Sequence, residues 1–230
     1  MKTYLLSLWH LLFPRLCAGC GRPLVDNEQA VCMCCLFSMR RTEFYQQADS
    51  YVDQLFWGQV PIQRAMAWCY FTKGGTMQAL LHALKYQHSP QVGVVLGKQM
   101  ALECASWWEG IDAIIPVPLH QKRQKSRGYN QATCIAQGIA MVTQIPVLEQ
   151  ALVRSQFNET QTHKSAYQRW KNAEGIFQHP TPLASNVKHV LLVDDVITTG
   201  ATLLSAAQLL HQQYPDLKIS IATLAVALAT

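Results

Sequence analysis

Long hydrophobic runs are missing from this sequence. No apolar stretch reaches the roughly 18–20 residues that are needed to span a bilayer, although half of the 230 residues are hydrophobic. Internal repeats and low-complexity tracts are absent as well, so nothing indicates a repeat protein or a biased linker. The length and composition instead allow one sizeable core with room for a small appendage.

Charge is also sparse, and two familiar signatures are absent. The chain has 19 Lys and Arg residues against 14 Asp and Glu residues, which gives a net charge of +5 and a pI of about 8.8. This balance permits a polyanionic partner, but the lack of a basic and aromatic stripe counts against a dedicated nucleic-acid-binding protein. The Walker phosphate loop is absent, because the nearest string, GVVLGKQ, has the wrong spacing and no hydroxyl after Lys98.

The N-terminal segment combines Lys2 with an apolar run over residues 4–13, a pattern typical of a short signal peptide. The following CAGC also resembles a lipoprotein cleavage site, but Cys17 stands where such a site has Leu, and polar residues interrupt the approach. We therefore predict a cytoplasmic protein in which residues 4–13 form a short amphipathic helix that ends at Pro14.

Cysteine, by contrast, is abundant. Five of the eight cysteines lie between residues 17 and 35. Cys17 and Cys20 form one Cys-x2-Cys pair, and Cys32 and Cys35 form another after eleven intervening residues. Two such turns direct four sulfur atoms to one point, the arrangement of a structural zinc site, with disulfide bonds as the alternative. Cys34 could compete for the metal, but we prefer Cys35 because it keeps the two-residue spacing.

The cysteine-rich segment predicts a zinc-binding module over residues 1–41, followed by a mainly polar connector over residues 42–64. A closed four-cysteine site leaves no position for chemistry, so the metal either staples a short segment or supports a contact with nucleic acid or protein. From residue 65 onwards, apolar strands alternate with helical segments. This pattern predicts an α/β domain over residues 65–230, with a mostly parallel sheet covered by helices on both faces.

Hydrophobic periodicity predicts the individual elements of that domain. The expected strands are 65–71, 111–118, 187–193 and 218–228, and the expected helices are 74–89, 90–108, 129–143 and 202–214. The polar stretch over residues 152–177 lacks periodicity, and a loop of that length inside a compact domain is usually functional.

The stretch VLLVDDVITTGAT, residues 190–202, carries the most chemical information. Asp194 and Asp195 are expected at the carboxyl end of a central strand, where open α/β sheets bind ligands. The turn that follows precedes a helix, whose free N–H groups and threonine hydroxyls can hold a phosphate. It consists of Thr198, Thr199, Gly200, Ala201 and Thr202. The carboxylates would repel that phosphate, so they suit ribose hydroxyls or Mg²⁺, and a ribose 5-phosphate fits both parts. A helix cap would explain only one of the two acids.

Residues 190–202 resemble the phosphoribosyl-pyrophosphate (PRPP) signature of type I phosphoribosyltransferases, and further motifs resemble the ComF family within that group. These motifs are the LFP and paired-cysteine pattern at 12–35, LKY at 84–86, PVPL at 116–119, RGYNQ at 127–131, and the late Arg169, Asn172 and Phe177. They follow one another in the family's order along almost the whole chain. The extra Cys34 is the one clear departure.

The resemblance implies a type I phosphoribosyltransferase-like fold, structural zinc, and Mg²⁺ bound together with PRPP. It assigns PRPP binding to Asp194, Asp195, the turn residues 198–202, Pro118, Arg127 and Lys85. The two acids are also the candidate catalytic residues, because they would orient the ribose and favour positive charge at C1. The loop at Pro118 would cradle the pyrophosphate, Arg127 would neutralise it, and the segment 152–177 would close over the ribose.

Two functional hypotheses follow. The first is an enzyme that transfers phosphoribosyl from Mg-PRPP to an unknown acceptor, with a role in natural competence and DNA uptake. The alternative is a non-catalytic accessory protein that senses PRPP or handles single-stranded DNA, with DNA or a DNA-uptake protein as its partner. The sequence contains no obvious general base, and it identifies neither the acceptor nor the oligomeric state.

Overall fold

A computed structural model describes residues 14–154 and 176–228 of the chain. The helix expected at residues 4–13 lies outside the described residues, as do Arg169, Asn172 and most of the polar stretch 152–177. Within the described ranges, none of the helices is both long enough and apolar enough to cross a membrane.

The centre of the fold is a parallel sheet. The described strands are β1 (Arg64–Tyr70), β2 (Ala113–Pro116), β3 (Val153–Arg154), β4 (Phe177–Gln178), β5 (His189–Ile197) and β6 (Lys218–Val226). Four of them form one sheet in the order β1-β6-β5-β2, and all three pairings are parallel. The apolar side chains of β5 and β6 are buried on both faces, which explains their almost continuous hydrophobic runs. The predicted parallel sheet is confirmed.

Helices cover this sheet and connect its strands. They are α1 (Met33–Ser38), α2 (Tyr51–Gln54), α3 (Thr76–Tyr86), α4 (Pro90–Glu103), α5 (Gln121–Arg127), α6 (Gln131–Thr143) and α7 (Ala201–Gln213), with 3₁₀ turns at Phe44–Gln46 and Ala105–Trp108. Helix α3 buries Met77, Leu80, Leu81 and Leu84, as its periodicity predicts. Helices α4 and α6 pack closely against each other.

Two elements differ from the sequence expectation. Strand β5 continues to Ile197 instead of stopping at residue 193, because its partner β6 extends alongside it, and Asp194 pairs with Thr223. The two acids therefore lie within the strand. The basic run after His120 is helix α5, which hydrophobic periodicity could not find because the described side chains from Lys122 to Lys125 are all exposed.

The segment expected to be a connector contributes to the core. Phe44, Val52 and Phe56 are buried, and the N–H of Thr42 donates to the carbonyl of Trp68 in β1. One continuous core contains side chains from residues 14–41, 42–64 and the α/β region. The division into residues 1–41, 42–64 and 65–230 thus stays a prediction, because the described side chains of all three segments pack into one core.

Candidate functional site

The carboxyl end of β5 leads directly into the N-terminus of α7. Between them, Gly200 adopts a left-handed conformation with φ of 76°, which favours glycine. A Cβ atom at this position would lie 3.3 Å and 3.4 Å from two ring atoms of Phe56. The turn is thus fixed by its own backbone and by an aromatic ring from residues 42–64. No sequence motif marks Phe56, whose only signal is an aromatic residue in a mainly polar stretch.

This turn encloses a small cavity of about 60 Å³, lined by Asp194 and residues 196–203. Thr198 and Thr199 are exposed, and among the described residues no side chain caps the helix at Gly200. The first N–H groups of α7 and the threonine hydroxyls can therefore donate to an anion at this position. The structure brings Asp194 and the predicted turn residues together around one cavity.

The two acids of β5, hereafter the acid pair, have different surroundings. Removal of water and the nearby charge of Asp195 raise the pKa of Asp194 to about 7, and the Asp195 N–H, Lys85 and Arg154 oppose this rise. That N–H donates to Asp194 Oδ1 at 2.8 Å. Asp195 Oδ2 lies 2.9 Å from Lys85 Nζ. The acid pair therefore favours hydroxyl donors or a cation, and its carboxylate oxygens suit Mg²⁺.

Lys85 also belongs to a second, strongly basic cavity. This cavity of about 400 Å³ is lined by Lys85, Tyr86, His88, Lys122, Arg123, Ser126, Arg127 and Tyr129. Arg127 is held by a 2.8 Å hydrogen bond to Gln131 Oε1 and lies 5.2 Å from the ring centre of Tyr86. Lys85 thus stands between the acid pair and a cavity suited to a multiply charged anion.

The RGYNQ motif connects three elements around this cavity. The Tyr129 hydroxyl donates to the carbonyl of Leu84 in α3. The Asn130 side chain donates to the carbonyl of Val117 at 3.0 Å and accepts from the N–H of Ala132 at the start of α6. The motif therefore fixes the end of α3 relative to the PVPL loop.

Pro118 lies in a separate cavity from Arg127. That cavity of about 310 Å³ is lined by Pro118, Leu119, Gln124, Asn130, Thr133, Glu149, Gln150, Leu152, Val153 and Arg154. Burial and the charge of Arg123 lower the pKa of Arg154, and Asp194 opposes the effect. Arg154 is thus a cation near the acid pair; it belongs to the polar stretch 152–177, but no motif marks it as a site residue. Its only signal is a basic residue directly after the apolar Leu152 and Val153.

The four predicted metal ligands also meet. The Sγ atoms of Cys17, Cys20, Cys32 and Cys35 all lie within 4.8 Å of one another, with 3.7 Å between Cys17 and Cys35 and 3.6 Å between Cys20 and Cys32. A tetrahedron with Zn–S bonds of about 2.3 Å has edges of about 3.8 Å. These cysteines, hereafter the cysteine centre, could hold a metal such as zinc, whereas Cys34 is exposed and lies outside it.

Hydrogen bonds to sulfur support this assignment. Cys17 Sγ accepts from the N–H groups of Gly19 at 3.4 Å and Cys32 at 3.2 Å, and Cys32 Sγ accepts from the Cys35 N–H at 3.4 Å. Although burial opposes the change, such N–H groups lower the pKa of Cys17 to about 7. Donors of this kind orient and stabilise metal-bound thiolates, so the donor set fits a zinc ion.

Comparison with known proteins gives a consistent family. Residues 130–230 match the model of the phosphoribosyl transferase domain. The DNA utilization protein YhgH of Escherichia coli O157:H7 is 32% identical over 139 residues, which cover 58% of this chain and 60% of that protein. Competence protein F of Haemophilus influenzae is 40% identical over 44% of each chain. Competence protein ComFC of Bacillus subtilis is 33% identical over 48% of this chain and 43% of its own.

These alignments span at most about three fifths of the relatives named here. The alignments agree with the structure. A parallel sheet carries the acid pair and the threonine-rich turn at one edge, and the sulfur atoms of four cysteines lie close together near the N-terminus. These matches support a ComF-family protein, and residues 130–230 carry a type I phosphoribosyltransferase domain.

Proposed function

We propose that this protein binds Mg-PRPP and transfers its phosphoribosyl group to an acceptor that remains to be identified. The observation that carries the proposal is the continuity of the acid pair with the Gly200 turn. In that turn, a small cavity with free helix N–H groups begins at Asp194 itself. A sugar phosphate has hydroxyls for the carboxylates and a phosphate for the turn, which matches this order of groups.

Each part of the ligand has a complementary surface. The 5-phosphate occupies the turn at residues 198–202, and the ribose hydroxyls bond to Asp194 and Asp195. The pyrophosphate faces the basic cavity of Lys85 and Arg127. Asp194 and Asp195 would hold Mg²⁺ through their carboxylate oxygens, and the ion would stabilise the charge of the leaving pyrophosphate.

The Pro118 loop and Arg154 border the neighbouring cavity. In this proposal Pro118 keeps the predicted role of shaping the pyrophosphate loop. Asp194 and Asp195 are the catalytic residues, because negative charge beside the ribose favours the positive charge that develops at C1. Their effect on the transition state therefore exceeds their effect on binding.

The cellular role that we propose is natural competence. Support comes from relatives whose names refer to competence and to DNA utilization. We also propose that the cysteine centre binds a structural zinc ion and that the protein acts in the cytoplasm, whose reducing conditions keep a four-thiolate site intact.

A second candidate is a non-catalytic protein that senses PRPP or handles single-stranded DNA. The observation in its favour is the basic cavity, which is lined by Lys122, Arg123 and Arg127 together with two tyrosines. Tyr86 is 62% exposed, and cations beside aromatic rings suit a single strand. Pyrophosphate release distinguishes the two candidates, because only a transferase releases it in the presence of an acceptor.

Titration calorimetry with PRPP and Mg²⁺ tests the binding proposal. Asp194→Asn combined with Asp195→Asn keeps the side-chain shapes but removes charge-assisted hydrogen bonds. Binding should therefore weaken about 10- to 1000-fold. Asp26→Asn combined with Asp216→Asn is the matched control, because it makes the same charge change at two exposed positions.

Thr199→Val separates the two halves of the site. It removes one hydroxyl from the turn, so Mg-PRPP binding should weaken about fivefold, while Mg-pyrophosphate binding should be unchanged. If the wild type does not bind Mg-PRPP at millimolar concentration, or the double Asp variant binds it as well as the control, the proposal is wrong. The DNA-handling alternative would then be favoured.

A further inference from the structure

We propose that the cysteine centre is a positioning element for the acid pair. Through its packing against helix α3, the centre sets the location of Lys85, the ionic partner of Asp195. The identity of the ligand in this inference rests on the function proposed above, whereas the mechanical link between the two sites does not.

The first contact joins the cysteine centre to the middle of α3. A Cβ atom on Gly19 would lie 2.9 Å from Cys35 Sγ and 3.2 Å from Leu80 Cδ2. The backbone between Cys17 and Cys20 is thus held between a metal ligand and a fully buried helix residue. Because interiors are closely packed, separation of the four sulfur atoms would move the surface against which Leu80 packs.

A second contact joins the same module to the start of α3. The Ser38 and Thr76 hydroxyls lie 2.9 Å apart, which links the end of α1 to the first residue of the helix. Arg41 in turn donates to the carbonyls of Leu36 at 3.0 Å and Met39 at 2.8 Å. The module therefore touches α3 at two points, one turn apart, and such a pair of contacts fixes the position of the helix.

The last turn of α3 carries Lys85, whose ammonium lies 2.9 Å from Asp195 Oδ2. Lys85 follows Leu80 by five residues, which is about 7.5 Å along a helix. The side chains of Lys85 and Asp195 are only 25% and 13% exposed. Because a helix moves as a rigid element, a shift at Leu80 reaches Lys85 with little loss.

Lys85 is the point at which this link reaches the ligand. It lowers the net negative charge of the acid pair, and it lines the basic cavity that is proposed for pyrophosphate. A displaced Lys85 would leave two carboxylates facing a polyanion and would remove one cation from the cavity wall. Loss of the metal should therefore weaken ligand binding without a direct contact between metal and ligand.

The main experiment is a double-mutant cycle in the full chain. Cys17→Ser combined with Cys20→Ser should weaken Mg-PRPP binding about tenfold relative to Cys34→Ser, which changes an exposed cysteine outside the centre. In a Lys85→Met background the same cysteine changes should alter the affinity less than about twofold, and with Lys85→Arg the tenfold loss should remain. Equal losses in the Lys85→Met and wild-type backgrounds, or no loss at all, would overturn the proposal.

A milder variant covers the case in which the cysteine variant fails to fold. Leu80→Val shortens the side chain that touches Gly19 and leaves all four cysteines in place. It should weaken Mg-PRPP binding severalfold at unchanged zinc content, whereas Leu81→Val, its buried neighbour on the same helix, should not. If the two variants weaken binding equally, general loosening of α3 explains the effect and the proposed route is wrong.

Hydrogen exchange tests the link without a ligand. Removal of zinc from the wild type by a chelator should speed exchange of the amides at residues 84–87 more than that of α6. If the wild type binds no Mg-PRPP but these amides respond, the proposed function fails and the mechanical link stands. Unchanged exchange at residues 84–87 after verified zinc removal would overturn the link itself.

Discussion

The cysteine centre and the acid pair both crowd acidic groups, yet they relieve the repulsion in different ways. In the acid pair, burial and Asp195 raise the pKa of Asp194 to about 7, and Lys85 lies 2.9 Å from Asp195. In the cysteine centre, N–H groups overcome burial and lower the pKa of Cys17 to about 7. Burial and the neighbouring sulfurs raise the pKa of Cys35.

The difference lies in the source of the positive charge. The acid pair has the cation Lys85 beside it, and the raised pKa of Asp194 lets this carboxyl group keep a proton, so the pair holds its shape before a ligand arrives. Among the described residues, the hydrogen bonds of the four sulfurs are with backbone N–H groups and with one another. Four thiolates at these distances require a metal ion to balance their charge. The fold should therefore depend strongly on the metal and weakly on PRPP.

Loss of the metal is the most severe way to test this comparison. Wild-type protein should contain about one zinc per chain, and Cys17→Ser combined with Cys20→Ser should abolish it. Because metal binding at such a site contributes to folding, the free energy of unfolding should fall by about 3 kcal/mol or more. Metal analysis and denaturant unfolding measure the two effects.

Cys34→Ser serves as the control and should change neither quantity. Zinc that persists in the double variant would mean that the ligand set is wrong. A wild type without zinc would point to free thiols or a disulfide, and the contrast between the two sites would then disappear.

Neutralising Asp194 should have the next largest effect on the free energy of unfolding, and it should raise this free energy instead of lowering it. The pKa of Asp194 rises from 3.8 to about 7 on folding, so the folded state binds its proton more tightly than the unfolded chain does. The stability from this proton is complete below pH 4 and is lost as the pH rises through 7. Asp194→Asn should therefore raise the free energy of unfolding by about 1–3 kcal/mol at pH 8 and by less at pH 5.

Denaturant unfolding at several pH values measures this gain, and Asp216→Asn, at an exposed position, is the control. A gain that is the same at pH 5 and pH 8 would show that burial of the charge is not its cause. A loss of stability at pH 8 would show that the charge of Asp194 supports the fold.

Much of the architecture could be predicted because its signals are local. Continuous apolar runs identified the strands of the sheet, and the paired cysteine spacing identified four residues whose sulfurs meet. Helix α5 could not be found in this way, because it lacks an apolar face. The extension of β5 to Ile197 depends on its pairing with β6, which is a relation between distant residues.

In the candidate site, too, residues that are neighbours in the sequence could be predicted, whereas contacts between distant residues could not. The acid pair and its turn are contiguous in the sequence, so a motif could identify both. Phe56 touches the turn from 144 positions before Gly200, and Arg154 approaches Asp194 from a different strand. Lys85 was assigned by family resemblance alone, and its pairing with Asp195 is a product of the fold.

Gly200 in the turn after the acid pair and Gly19 in the cysteine centre are required for different reasons, and replacing either should have a smaller effect than the changes above. Gly200→Ala meets both a φ of 76° and the ring of Phe56 at 3.3 Å, so it should lower the free energy of unfolding by about 1–2 kcal/mol. Adding Phe56→Leu should relieve the contact but not the backbone strain. Gly19→Ala, which lacks the unusual φ, should instead reduce zinc affinity through its contact with Cys35.

Denaturant unfolding and a zinc competition assay separate these outcomes. If Gly200→Ala in the Phe56→Leu background costs nothing, the contact explains the whole effect. If Gly19→Ala changes stability only after the zinc has been removed, its role lies outside the cysteine centre.

Replacing Lys85, the cation beside the acid pair, should have the smallest effect on stability. It tests most directly whether the acid pair, unlike the cysteine centre, is balanced by a cation of the protein itself. Lys85→Met removes one of the groups that oppose the rise in the pKa of Asp194, so this pKa should move above about 7. The proton on Asp194 stabilises the folded state, and its contribution should therefore be retained to higher pH than in the wild type. Lys85 is partly exposed, so its loss should cost less than about 1 kcal/mol at any pH. Unfolding measured from pH 5 to pH 9 should show the shift, with Lys85→Arg matching the wild type. Identical pH curves for Lys85→Met and the wild type would mean that the acid pair does not depend on its own cation, and the contrast with the cysteine centre would have to rest on burial alone.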